Sequence, residues 1–125
     1  MKSRSVSLLI FAGFIFSGCS TTGSVSDMQA KSMQIHPGST KDEVMSILGM
    51  PGDRSFNSKG EAWQYCSTGF SHDKYMTVWF YEGIVHGLTS YTRTDVMGIC
   101  TQTFSSVDWG QAPDDLKIKL KIKYE

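Results

Sequence analysis

Residues 74–91 read Lys74-Tyr75-Met76-Thr77-Val78-Trp79-Phe80-Tyr81-Glu82-Gly83-Ile84-Val85-His86-Gly87-Leu88-Thr89-Ser90-Tyr91, and this stretch decides the fold. Its first half is dense in aromatic and β-branched residues, the composition of a strand. Side chains alternate across a strand, so Met76, Val78 and Phe80 share one face and Tyr75, Thr77, Trp79 and Tyr81 share the other. Glu82-Gly83 reads as a two-residue hairpin loop, with Gly83 at a position that tolerates positive φ. Ile84 to Tyr91 returns as the next strand. Upstream, Glu61 to Cys66 carries Trp63 and Tyr65 and follows the turn signal Asn57-Ser58-Lys59-Gly60, so it reads as a further strand. Arg54 to Phe56 is its partner strand or a lead-in. The expected core is an antiparallel meander of about three strands.

A helix precedes the meander. Thr40-Lys41-Asp42-Glu43 is a T-x-x-E capping box, in which the Thr40 hydroxyl accepts from the Glu43 amide and the Glu43 side chain reaches back. Val44, Ile47 and Leu48 fall at i, i+3 and i+4, an apolar stripe on one side of a helix. Gly49 stands where a left-handed terminating residue belongs, and Pro51 blocks continuation. A helix this short is not stable alone and must pack on something. Residues 19–33 begin rich in Ser, Thr and Gly and lack aromatics, the composition of a flexible tether. A short helix from about Asp27 to Gln34 is a further expectation, with Met28 and Met33 only loosely on one side. The fold class is α+β, with short N-terminal helices on one face of an antiparallel sheet.

Residues 92–115 hold Cys100, Phe104, Val107, Trp109 and a loop signal at Gly110-Gln111-Ala112-Pro113, without a legible element. From Leu116 the chain alternates strictly. Leu116, Ile118, Leu120, Ile122 and Tyr124 interleave with Lys117, Lys119, Lys121 and Lys123, the period of a half-buried strand. An added C-terminal strand is therefore expected.

Composition narrows the class. The chain has 125 residues, with 12 basic side chains against 12 acidic and 40% hydrophobic residues. It is too apolar for a wholly disordered protein, too neutral for a basic nucleic-acid binder and too short for more than one ordinary domain. The N-terminus modifies these numbers. Lys2 and Arg4 precede Leu8-Leu9-Ile10-Phe11-Ala12-Gly13-Phe14-Ile15-Phe16, an apolar run far short of the roughly 20 residues of a membrane span. A basic segment before a short apolar run is the pattern of a secretory signal.

Phe16-Ser17-Gly18-Cys19 resembles a bacterial lipobox. The resemblance implies lipid transfer to the Cys19 thiol, cleavage before it and acylation of the new amino terminus. Several acyl chains then hold the protein on a membrane, where a single chain is only marginal. By resemblance to enterobacterial lipoproteins, Ser20 in place of Asp directs the protein to the outer membrane, with its domain facing the periplasm. Residues 1–18 are then a signal peptide, 19–33 a tether and 34–125 the folded domain. Removing the signal leaves 107 residues, with 10 basic and 12 acidic side chains. Cys66 and Cys100 remain. An even pair in an oxidising compartment reads as a disulfide, and the alternative is two separate buried thiols.

The run Gly38-Ser39-Thr40, Val44, Leu48-Gly49 and Pro51 resembles the SmpA/OmlA (BamE-like) family of outer-membrane lipoproteins. Glu61-Ala62-Trp63-Gln64-Tyr65 and Val78-Trp79-Phe80-Tyr81-Glu82-Gly83-Ile84-Val85 are similar to the family's strands, so the likeness covers about residues 34–91. It implies a two-layer α+β fold and a non-enzymatic accessory role in the envelope, in outer-membrane assembly or in envelope and osmotic stress. A cysteine in the first strand region and another after the last strand make the osmotically inducible subgroup the nearer likeness. Residues 104–125 have no counterpart in the family pattern.

Against that background the chemistry-bearing residues are sparse. His36, His72 and His86 are scattered, and no metal-ligand spacing, nucleophile elbow or phosphate loop is present. Neither a metal nor any cofactor beyond the covalent lipid is expected, and a hydrolase needs His72 or His86 gathered with an acid. Trp63, Tyr65, Tyr75, Trp79 and Tyr81 form a candidate partner surface, since Trp and Tyr concentrate in binding hot spots; ordinary sheet packing is the competing reading. An inhibitor-type protein-binding module is the alternative function and needs that aromatic face exposed. The four lysines either guard an edge strand or contact anionic lipid headgroups. If they contact lipid, replacing Lys117, Lys119, Lys121 and Lys123 by Gln weakens binding of the unlipidated domain to anionic liposomes in a sedimentation assay; unchanged binding rejects that role.

Overall fold

The capping box closes in the computed structural model, which describes residues 25–57, 60–95, 98–114 and 116. The Glu43 amide donates to Thr40 Oγ1 at 3.2 Å, and the Thr40 amide donates to Glu43 Oε2 at 2.7 Å. These bonds open helix α2 (Lys41–Leu48), which follows helix α1 (Val25–Ser32). Gly49 ends α2 with φ 78 and ψ −161, a region open essentially to glycine alone. Its amide returns to the Met45 carbonyl at 2.9 Å. Val44 is fully buried, with Met45, Ile47 and Leu48 packed around the same cluster.

Among the described residues the sheet has four strands, β1 (Asp53–Phe56), β2 (Glu61–Ser67), β3 (Asp73–Tyr81) and β4 (Ile84–Arg93), in that spatial order and all antiparallel. Arg54 to Phe56 is thus a strand, not a lead-in. Tyr81 pairs with Ile84 across the expected two-residue loop. Glu82 at φ 50 and Gly83 at φ 83 are both positive, the twist that suits a tight hairpin. Trp79 pairs with Gly87 but Phe80 with Val85, so His86 is the extra residue of a bulge.

Register decides what each face carries. Trp63 lies opposite Val78 and Tyr65 opposite Met76. These four, with Phe80 and Val85, form the face on which Met28 of α1, Ile35 and Val44 of α2 are buried. The Tyr65 hydroxyl donates to the Gly49 carbonyl at 3.0 Å and ties the end of α2 to β2. The segment 38–40 meets the start of β4: the Gly38 amide donates to the Val85 carbonyl and the Val85 amide to the Ser39 carbonyl, both at 2.8 Å.

The other face is covered by residues 98–114 and Leu116, which include two 3₁₀ turns, Cys100–Gln102 and Trp109–Gln111. Trp109 meets Trp79 edge-on at 5.5 Å, and Phe104 meets Tyr75 edge-on at 5.9 Å. Ala62, Trp79, Ala112 and Leu116 form a second buried cluster. The approach is close enough that a Cβ on Gly87 would stand 2.6 Å from Pro113 Cγ, and one on Gly52 2.5 Å from the Phe104 ring. Cys66 of β2 and Cys100 are joined as a disulfide, their Cα atoms 6.0 Å apart. The bond latches the start of this cover to the sheet.

Two expectations change, and a third is only touched at its start. The second half of the expected tether is α1, a docked helix: Met28 is buried and Lys74 Nζ donates to Gln29 Oε1 at 2.9 Å. The sheet has covers on both faces where one layer was expected, because the segment after Tyr91 folds back over it. At the start of the expected C-terminal strand, Asp114 and Leu116 have helical backbone. The remainder of that strand lies outside the described residues.

Replacing Cys66 and Cys100 together by Ser should lower the free energy of unfolding by about 3–4 kcal/mol, the loop-closure value for this separation. Urea unfolding checks the loss, and near-UV circular dichroism should report loosened packing of Trp109 on Trp79.

Candidate functional site

The β1–β2 and β3–β4 loops turn at the same end of the sheet, since Glu61 pairs with Phe80 and Tyr81 with Ile84. Lys41, the first residue of α2, reaches the same end. Between them opens a groove of about 380 Å³, lined by Lys41, Arg54, Phe56, Glu61, Phe80 and Glu82 among others. Phe56 stands on its rim with 74% of its surface exposed.

Glu61 organises the groove. It opens β2 and shares a face with Trp63 two residues on, which lets the Trp63 indole donate to Glu61 Oε1 at 2.6 Å. Arg54 pairs with Trp63 in the sheet register, and its guanidinium donates to the same oxygen from Nε at 3.0 Å and Nη2 at 2.6 Å. Lys41 Nζ donates to Oε2. A carboxylate is rarely buried unless paired in this way. Both cations also lie over rings, Lys41 over Phe80 and Arg54 over Trp63, each at 5.7 Å.

The electrostatics oppose acid–base work at Glu61. Burial pushes its carboxyl up, but the hydrogen bonds from Lys41, Trp63 and Arg54, with the Lys41 charge, hold it below the ordinary carboxylate value. A general acid or base needs the opposite tuning, toward the working pH. The groove instead sets fixed charges of both signs around an exposed aromatic.

The residues singled out from sequence fall differently. Trp63 and Tyr65 are buried in the helix-side core, with burial pushing the Tyr65 phenol up. Tyr75 and Trp79 are buried on the opposite face beneath residues 98–114 and Leu116, and Tyr81 is half-buried against His86. The five aromatics do not form one surface. This corrects the partner-surface expectation and removes the exposed aromatic face that the inhibitor-type reading needs. Cys19 and Lys117, Lys119, Lys121 and Lys123 lie outside the described residues.

The histidines are not gathered. His36 is exposed ahead of α2, and His72 is exposed before β3 beside Ser71 Oγ at 3.0 Å. His86 sits in the bulge at the other end of β3, roughly 20 Å away by strand rise. Among the described residues, no group of three His, Cys, Asp or Glu side chains is placed to hold a metal ion. No family model, curated protein or solved structure matches the chain.

The groove residues Lys41, Arg54, Phe56 and Glu61 escaped sequence reasoning. One signal pointed to them: a lone carboxylate opening an aromatic strand must find cations if it is buried.

Glu61→Gln tests the site by pH. Because the folded carboxyl lies below its ordinary value of 4.5, its stabilisation is complete above that value and is lost as pH falls through the folded one. The wild type should therefore outlast the variant in urea at neutral pH, and the gap should narrow as the pH is taken below the ordinary carboxylate value.

Proposed function

We propose that this chain is a lipid-anchored envelope protein of the SmpA/OmlA (BamE-like) kind, without enzymatic activity, held on the outer membrane through Cys19 with its domain in the periplasm. The observation that carries the reading is the order of the N-terminus: a basic segment, a short apolar run, then Ser17-Gly18-Cys19. The α+β architecture supports it, with two helices on one face of an antiparallel meander. So does the Cys66–Cys100 bond, a kind of link that persists in oxidising compartments.

The role is that of an accessory module docking a protein partner through the groove at the hairpin end. Phe56 supplies an exposed aromatic anchor, and Lys41, Arg54, Glu61 and Glu82 frame it with both signs of charge. Hot spots combine such an aromatic with Arg at their centre, and surrounding charges fix register and exclude wrong partners.

Two measurements test the proposal. Cys19→Ser should move the protein from the membrane pellet to the soluble fraction and abolish metabolic labelling with an alkyne fatty acid. A photo-crosslinking amino acid in place of Phe56 should trap an envelope protein in living cells, while one at exposed Phe70 should not. Recovery of barrel-assembly components favours the assembly branch of the family, and their absence the stress branch. Labelling that persists in the Cys19 variant rejects the anchor, and equal crosslinking from Phe70 rejects the groove.

A further inference from the structure

We propose that the space between the second sheet face and residues 105–111 binds a neutral, hydroxyl-rich ligand the size of one sugar ring. The cavity measures about 320 Å³, near the lower bound of small-molecule pockets. Its sheet wall is Gln64, Thr77, Trp79, Thr89 and Tyr91, and its outer wall runs from Ser105 to Asp108 with Gln111.

The chemistry of the sheet wall is the reason for the inference. A sheet centre lying under a cover is ordinarily apolar, as the helix-side face of this sheet is. Here Gln64 and Thr77 are 3% and 6% exposed, yet polar. Some of the wall's polar capacity is used internally. Gln64 Nε2 donates to Asp53 Oδ2 at 2.8 Å and to the Ser105 carbonyl at 3.0 Å, and the Trp79 indole donates to Thr89 Oγ1 at 2.8 Å. The Tyr91 hydroxyl is buried with no hydrogen-bond partner among the described residues. Buried polar atoms are nearly always paired, and leaving one unmade is costly.

The lining also selects the ligand class. Among the described residues, neither Lys, Arg nor His borders the cavity, so a phosphate, sulfate or carboxylate would be desolvated without a counter-charge from them. The charged group on its wall is Asp108. Its Oδ1 accepts from the Gly110 amide at 2.9 Å and its Oδ2 from Gln111 Nε2 at 3.4 Å, which leaves acceptor sites on both oxygens. Two neighbouring hydroxyls of a sugar can donate to them. The Thr, Ser and Tyr hydroxyls donate or accept as a sugar's own hydroxyls require. Trp79, Tyr91 and Val107 present apolar surface to its C–H face, Tyr91 being braced from behind by stacking on Tyr75 at 4.9 Å.

The test follows the Trp79 indole N–H by ¹H–¹⁵N NMR on the full chain in a detergent without a sugar headgroup, during titration with glucose, galactose and N-acetylglucosamine. At least one sugar should shift it saturably at millimolar concentration, while the Trp63 indole, bonded to Glu61 on the opposite face, stays still. Tyr91→Phe should weaken that binding about three- to tenfold, the value of one hydrogen bond. Its melting temperature should stay equal or rise, because the lost hydroxyl has no partner among the described residues. No saturable Trp79 shift with any of the three overturns the proposal and leaves a cavity that holds water only. A shift of the same affinity in Tyr91→Phe and Thr77→Val also overturns it, as does preference for ethylammonium, which would mark a cation site at Asp108.

Discussion

Strand β3 buries large side chains on both sides, and the rest of the molecule answers to that constraint. Met76, Val78 and Phe80 on one face and Tyr75 and Trp79 on the other are all buried. A sheet with one wet face needs a single covering layer; this one needs two. The helices supply the first through Met28, Ile35 and Val44. Residues 98–114 and Leu116 supply the second with little regular structure, so side-chain contacts and one covalent bond must hold it. Trp109 on Trp79, Phe104 on Tyr75 and the Cys66–Cys100 bond are among those attachments. The covalent link sits at one end of the cover and acts chiefly by restricting the unfolded chain.

Glu61 is the second organising point, and it works locally. Desolvating a carboxylate is costly, and a buried ion pair repays that cost only with good geometry. Here indole, guanidinium and ammonium donors converge on two oxygens. The result joins β1, β2 and the first turn of α2 at one end of the sheet. It also leaves two cations positioned beside an exposed Phe56. The same interaction that closes this end of the fold thereby builds the groove.

Legibility followed the range of the interactions. The capping box, the Gly49 terminus and the Glu82-Gly83 loop were readable because each is made by partners within about four residues, where spacing alone sets geometry. The division of β3 into two faces was readable for the same reason. The grouping of Trp63 and Tyr65 with Trp79 was not: which face of β2 joins which face of β3 depends on register, and a slip of one residue exchanges them. The observed register sets Trp63 against Val78 and Ala62 against Trp79. Helix α1 was only half legible, since eight residues with one buried Met carry little periodicity.

By itself the sequence determined helix α2, strands β2 to β4, the hairpin between β3 and β4 and the alternation within each of those strands. Tertiary structure alone decided that both sheet faces are covered, that Glu61 gathers Lys41 and Arg54, and that a polar cavity lies beneath residues 105–111. The physical reason is common to all three. Each is a meeting of residues far apart in sequence, brought about by strand register and by an irregular segment folding back, and neither leaves a periodic signal in the chain.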